Sequence, residues 1–221
     1  MTPIPKTFFI TGLGRSGTAF LAEMLGQSEG HRVVHEWKIP RTPLRDGRLQ
    51  RFPLWRFLLA RYPFPSVRRG YGEVNSHLRR TLSPAGDGAE ALIERRGIIL
   101  REPRDVVASG MNRSGRTEAD FEALCEDVLG DFARLQALLR HPTLHYETFE
   151  FERFTRDPAY VLEIAEWAGI TDLSAADVTV ERKVNVNKTS WFPRSDQWTT
   201  EHHETFATVA RRHGLHSFAS V

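Results

Sequence analysis

Residues 8–25 read FFITGLGRSGTAFLAEML. The run opens with Phe8, Phe9 and Ile10, a short apolar stretch of the kind that forms a buried parallel strand. Gly12-Leu13-Gly14-Arg15-Ser16-Gly17-Thr18 follows as a glycine-rich turn, and Phe20, Leu21, Met24 and Leu25 then recur at helical spacing. Strand, glycine turn and helix start together aim backbone N–H groups and the positive end of a helix at one point. Glycines in the turn let the main chain approach a phosphate-sized anion closely.

Set against the nucleotide-loop pattern GxxxxGK[ST], Gly12 and Gly17 take the two glycine places, Thr18 stands where the lysine belongs and Ala19 where the magnesium-binding hydroxyl belongs. A loop lacking both groups is a poor ATPase. It remains an anion cradle, with Arg15 as a fixed positive charge. The competing reading is an ordinary glycine turn between strand and helix.

The chain has 221 residues, 40% hydrophobic and 26% charged, enough for one sizeable core. We expect a single domain over residues 1–221. The lone cysteine, Cys125, rules out an internal disulfide framework. No run approaches the roughly 20 apolar residues that span a bilayer. The opening MTPIPKTFFITG enters a strand directly without the apolar region of a signal peptide. These features predict a cytoplasmic protein. Arginine supplies 26 of the 30 basic residues, which coding bias alone explains. Their placement says more: residues 32–80 hold twelve basic side chains against Glu36, Asp46 and Glu73. Such a local excess points to an anionic ligand, substrate or surface.

Along the chain, the pattern predicts a second strand at 32–35 and a proline- and arginine-rich insertion at about 38–70 that covers substrate, with one short amphipathic helix at 54–62. A third strand is expected at 71–75, a helix at 89–96, a buried strand at 97–101 and a helix from Pro103 to about Arg113. A long helix follows at 118–140, then a fifth strand at 144–146, a helix at 158–168 stopped by Gly169, an extended stretch at 179–198 and a last helix at about 200–213. Alternating strands and helices imply an α/β fold: three layers, α/β/α, around a mainly parallel sheet of about five strands, like that of P-loop nucleotide hydrolases. Oligomeric state is not legible.

A second cluster lies in residues 97–113, GIILREPRDVVASGMNR. Arg101 closes a strand, and Ser109 and Arg113 sit four apart on one face of the helix after it. Two guanidinium groups and a hydroxyl there can converge on one phosphate. The alternative is that Arg104 and Asp105 make a surface ion pair and the rest is packing.

Residues 8–25 and 97–113 together resemble the phosphosulfate-binding loop and the 3′-phosphate-binding segment of sulfotransferases that use 3′-phosphoadenosine 5′-phosphosulfate (PAPS). The likeness extends to Tyr146-Glu147, similar to the family's tyrosine-glutamate after the fifth strand, and to Asp157-Pro158. It covers about half of the chain. The resemblance implies that Gly14, Arg15, Ser16, Gly17, Thr18 and Ala19 hold the 5′-phosphosulfate, and that Arg101, Ser109 and, as in tyrosylprotein sulfotransferases, Arg113 hold the 3′-phosphate. It implies no metal, arginines standing where a kinase has magnesium. The family's Arg-Lys-Gly lid is not cleanly present: Arg182-Lys183 is followed by Val184, leaving Lys183 and Lys188 as lid candidates.

Sulfuryl transfer to an alcohol needs a proton acceptor and positive groups on the leaving oxygen. Arg15 is placed for the second task. For the first, Glu36 follows Arg15 by 21 residues, a spacing similar to the catalytic glutamate of tyrosylprotein sulfotransferases. His77, in VNSHLRR, is similar in setting to the histidine of cytosolic sulfotransferases. Glu36 is the preferred base and His77 the second choice. His202-His203, near the last helix, does not show the spacing of histidines, cysteines and carboxylates that marks a metal site, so no metal site is inferred.

The expected activity is transfer of a sulfuryl group from PAPS, leaving adenosine 3′,5′-bisphosphate, to a hydroxyl of a carbohydrate or other small metabolite. No nucleic-acid partner is expected. A P-loop kinase of nucleotides or metabolites is the first competitor, disfavoured by the missing lysine and magnesium ligand. The second is a non-enzymatic binder of polyanions or membrane surfaces, using RFPLWRFLLARYPFPSVRR at 51–69.

Overall fold

The computed structural model describes residues 7–35, 70–76, 93–113, 115–179 and 190–219. Five strands form one parallel sheet: β1 (Thr7–Gly12), β2 (His31–His35), β3 (Gly70–Val74), β4 (Arg95–Leu100) and β5 (Glu147–Glu150), in the order β2-β3-β1-β4-β5. The helices among the described residues are α1 (Thr18–Leu25), α2 (Pro103–Met111), α3 (Phe121–Leu139), α4 (Phe151–Phe154), α5 (Pro158–Ala168) and α6 (Thr200–Arg212).

The middle strand explains the layers. Phe8 and Ile10 point into one core, with Leu21 and Leu25 of α1 and Val161 and Ile164 of α5. Phe9 points into the other, with Val107 of α2, Leu129 of α3 and Phe206 of α6. Every residue of β1 is buried, which is why Phe8, Phe9 and Ile10 run consecutively apolar rather than alternating with polar residues. Each large side chain so buried contributes about 1.5–3 kcal/mol. Among the described residues no helix is long and apolar enough to cross a membrane.

Local signals set most helix boundaries. Asp157 accepts a hydrogen bond from the Ala159 amide at 3.0 Å and Pro158 takes the first turn of α5, while Gly169 at φ 82° ends it. Thr199 and His202 exchange bonds in a capping box that starts α6. Cys125 is free and buried, and burial pushes its thiol up to about 12, far from a reactive thiolate.

The structure corrects three boundaries. The helix expected at 89–96 cannot reach its predicted end, because Arg95 and Arg96 already belong to β4, paired with Phe8 and Phe9. Ala, Leu, Glu and Arg favour helix locally, and sheet pairing overrides that preference. The fifth strand is Glu147–Glu150, not 144–146, so Tyr146-Glu147 stands at the entrance of β5 rather than after it. The helix expected from 118 begins with a 3-10 turn, Glu118–Asp120, before α3. The insertion expected at 38–70 lies outside the described residues apart from Gly70, which opens β3.

Candidate anion-binding site

β1 and β4 are parallel neighbours, with Gly12 opposite Ile99. The turn leaving β1 and the residue following β4 therefore emerge side by side at the carboxyl edge of the sheet. An open α/β sheet builds its ligand crevice at that edge. In this register Arg101 meets the first loop. Its guanidinium Nη1 donates to the main-chain carbonyl of Arg15.

The loop itself has a particular backbone. Arg15 has φ 68° and Gly17 φ 77°, so left-handed residues flank Ser16. A left-handed conformation is strained for a residue with a Cβ, and alternation of this kind turns successive N–H groups toward one concavity. Ser16 is buried, and its hydroxyl donates to the Leu13 carbonyl at 2.6 Å, closing the turn from inside. A Cβ on Gly12 would lie 2.5 Å from that hydroxyl oxygen, so the tight packing requires glycine there.

Gly17 precedes α1 in the N-cap place and has no side chain to cap the helix, and the first turn of α1 carries no acidic residue. By contrast α2, α5 and α6 are capped by the side chains of Glu102, Asp157 and Thr199. The leading amides of α1 are thus left for an anion from outside the helix.

Ser109 is on the part of α2 that faces the loop, and its hydroxyl accepts a hydrogen bond from Arg15 Nε at 3.2 Å. Burial, then the nearby Arg113 guanidinium, lowers the pKa of Arg15. Burial also lowers that of Arg101, with Arg15 adding to the effect and Asp105 and Glu152 opposing it. Arginine stays protonated throughout, so Arg15 and Arg101 are two positive groups held close together and partly out of water, with the exposed Arg113 near them. Such an arrangement is costly alone and is relieved by an anion between them. Arg101 Nε is buried with no hydrogen-bond partner among the described residues, an orphaned donor at this place.

The structure thus brings together Arg15, Ser16, Gly17, Thr18, Arg101, Ser109 and Arg113 of the residues singled out in the sequence. A Cβ on Gly14 would meet nothing within 4 Å among the described residues. Glu36, His77, Lys183 and Lys188 lie outside the described residues. Thr18 differs from expectation in one respect: its hydroxyl is 3.2 Å from Nε2 of His35, at the end of β2. His35 is not among the residues singled out in the sequence. Its signal was position, because a strand beside β1–β3 ends at the same edge as the loop.

Arg104 and Asp105 turn to other tasks. Arg104 pairs with Glu102 at 3.4 Å and donates to the Phe218 carbonyl at 3.3 Å, while Asp105 accepts from the Ser195 hydroxyl. Asn112 accepts from the Trp191 and Phe192 amides at 2.8 Å each. The segment after residue 189 is therefore fastened to α2 at Asp105 and to Asn112 at its end.

No family model matches the chain, and no curated protein matches it by sequence. Solved structures do resemble it. A sulfotransferase from Alicyclobacillus acidocaldarius aligns over 99% of this chain and 96% of its own, with a TM-score of 0.55 and 17% identity. The sulfotransferase domain from the curacin biosynthetic pathway aligns over 96% of this chain and 98% of its own, with a TM-score of 0.51 and 14% identity. At such identities the likeness speaks for architecture, and the architecture of this chain is the three-layer sulfotransferase fold.

Proposed function

We propose that the protein is a sulfotransferase that moves a sulfuryl group from PAPS to an acceptor hydroxyl without a metal ion. The observation that carries this reading is the contact between Arg101 and Arg15, which joins two anion-binding segments into one site. The uncapped start of α1, the left-handed residues at 15 and 17 and the orphaned Arg101 Nε fit a nucleotide with phosphate groups at two ends. When bound, the donor supplies an activated sulfuryl group on a phosphate leaving group.

In this reading the amides of residues 14–19 and the Thr18 hydroxyl hold the 5′ end, while Arg101, Ser109 and Arg113 hold the 3′-phosphate. Arg15 offsets the charge that builds on the leaving oxygen. Glu36, the residue after His35 at the end of β2, takes the proton from the acceptor hydroxyl, and His77 is the alternative. Lys183 and Lys188 cover the nucleotide. The basic character of residues 32–80 favours an anionic carbohydrate or other anionic small metabolite as acceptor. The metal-free chemistry rests on Thr18 and Ala19 standing in the lysine and magnesium-ligand places.

The test is transfer of labelled sulfate from PAPS to a panel of sugars, lipids and phenols in the presence of EDTA. Transfer to one acceptor class supports the proposal. Magnesium-dependent phosphorylation with ATP, and no sulfate transfer, would replace it with the kinase reading.

A further inference from the structure

Phe151 opens α4 directly after β5 and belongs to neither of the segments that gave the anion site its sequence signature. Yet it touches both. A Cβ on Gly17 would lie 2.8 Å from Cδ2 and Cε2 of the Phe151 ring, so the ring packs directly against the main chain of the loop. The Arg101 guanidinium stacks on the same ring, 4.1 Å from its centroid, and from there donates to the Arg15 carbonyl. The ring is anchored from behind by Phe154, edge-on at 5.7 Å, which in turn stacks on Phe20 of α1 at 6.1 Å.

Both left-handed residues of the loop are thus supported by one pair of side chains: Gly17 by the Phe151 ring, Arg15 by the arginine lying on it. We infer that Phe151 is a positioning residue for the anion loop, acting through Arg101 and through direct contact with Gly17. This rests on the proposed function only for the identity of the bound anion.

The physical case is one of degrees of freedom. A long arginine side chain loses much rotamer freedom when it is ordered, and a guanidinium serving a phosphate must be held in one orientation. A single carbonyl bond fixes one nitrogen. A ring face 4.1 Å from the guanidinium carbon limits how that group can tilt, so that the remaining N–H groups keep a set direction. A cation–π contact that is partly desolvated is also worth more than an exposed one. The ring at the same time limits the ways the loop can relax around Gly17. Loss of the aromatic face frees the guanidinium and the loop together, and the 5′-group site loses its preformed shape.

The test compares Phe151→Leu and Phe151→Tyr in the full chain. Titration with 5′-AMP reads the 5′ end of the site in isolation from the 3′-phosphate. Amide hydrogen exchange at residues 14–18, without nucleotide, reads the loop itself. Phe151→Leu is expected to bind 5′-AMP at least tenfold more weakly and to exchange those amides at least tenfold faster. Phe151→Tyr, which keeps the aromatic face, is expected to stay within about threefold of the parent in both. A residue that only filled space would lower the melting temperature and move neither readout well below it.

Parent-like 5′-AMP affinity and parent-like exchange in Phe151→Leu overturn the inference, as does equal impairment of Leu and Tyr variants. Should Phe151→Leu not fold, Phe151→Met, a flexible apolar filler of similar volume, takes its place with the same expectations. If the parent chain binds neither 5′-AMP nor adenosine 3′,5′-bisphosphate, the sulfotransferase reading fails. The exchange arm then still decides whether Phe151 positions the loop.

Discussion

The guanidinium of Arg101 donates to the main-chain carbonyl of Arg15, a residue 86 positions earlier in the chain. One of its five N–H groups is used in this way, leaving the others available to a ligand. The bond ties the residue after β4 to the turn after β1. Parallel pairing of those strands, Gly12 against Ile99, makes the meeting possible. A nucleotide with phosphate at both its 5′ and 3′ ends would be gripped by a single unit rather than by two independent loops.

Arg101→Ala removes both the carbonyl bond and a phosphate partner. Charge-assisted bonds of this kind are worth about 2–3 kcal/mol, so affinity for adenosine 3′,5′-bisphosphate should fall roughly 30- to 150-fold. Arg101→Lys keeps the charge but loses the planar fork and should recover only part of the loss. Isothermal titration without magnesium measures both. Equal affinity of the parent for 5′-AMP and the bisphosphate would contradict a 3′-phosphate site.

Gly17→Ala and Gly14→Ala should separate stability from binding. At φ 77° with the Phe151 ring 2.8 Å from a new Cβ, Gly17→Ala combines backbone strain with a clash. We expect a loss of about 2–3 kcal/mol, or about 5–10 °C in Tm. A Cβ at Gly14 meets no atom of the described residues within 4 Å, so Gly14→Ala should melt within about 2 °C of the parent. If the loop holds the nucleotide as proposed, Gly14→Ala nevertheless binds it more weakly, because the methyl group enters the ligand's space. Thermal denaturation and titration on the same two proteins decide the matter.

Glu36→Gln keeps shape and removes the proton acceptor. Turnover is expected to fall by about 10²–10⁴-fold while the affinity for adenosine 3′,5′-bisphosphate stays within threefold. Activity that survives Glu36→Gln and disappears in His77→Ala moves the base to His77.

Asp172 ties the turn after α5 to the turn before β2. It accepts from the Ser28 hydroxyl at 2.7 Å and from the Glu29 and Gly30 amides at 2.7 and 2.9 Å. Burial pushes its pKa up, but these hydrogen bonds together hold it below the ordinary value. A carboxylate lowered in the folded state stabilises the fold above its unfolded pKa, about 3.9, and loses that contribution as pH falls through the folded value. Asp172→Asn should therefore cost about 1 kcal/mol near neutral pH, a figure already reduced for solvent exposure, and converge with the parent in acid. Melting curves from pH 7 to pH 2 would show the two lines meet; a gap of constant size would argue against a titrating carboxylate.

Much of this protein is written in short stretches. Phe8-Phe9-Ile10, the glycine turn and the apolar spacing from Phe20 to Leu25 specify strand, loop and helix, because each depends on neighbours within one or two turns of chain. Asp157-Pro158 and Gly169 bound α5 for the same reason. Where the local pattern misled, at residues 95–96 and 144–146, the deciding contact was pairing with a distant strand. The relation of Arg101 to Arg15, the Phe151 ring under Gly17 and the approach of His35 to Thr18 are of that second kind. They join residues far apart in sequence and depend on strand order, register and the emergence of loops at one edge of the sheet. No window of sequence contains those quantities, since they come into being only when the sheet assembles.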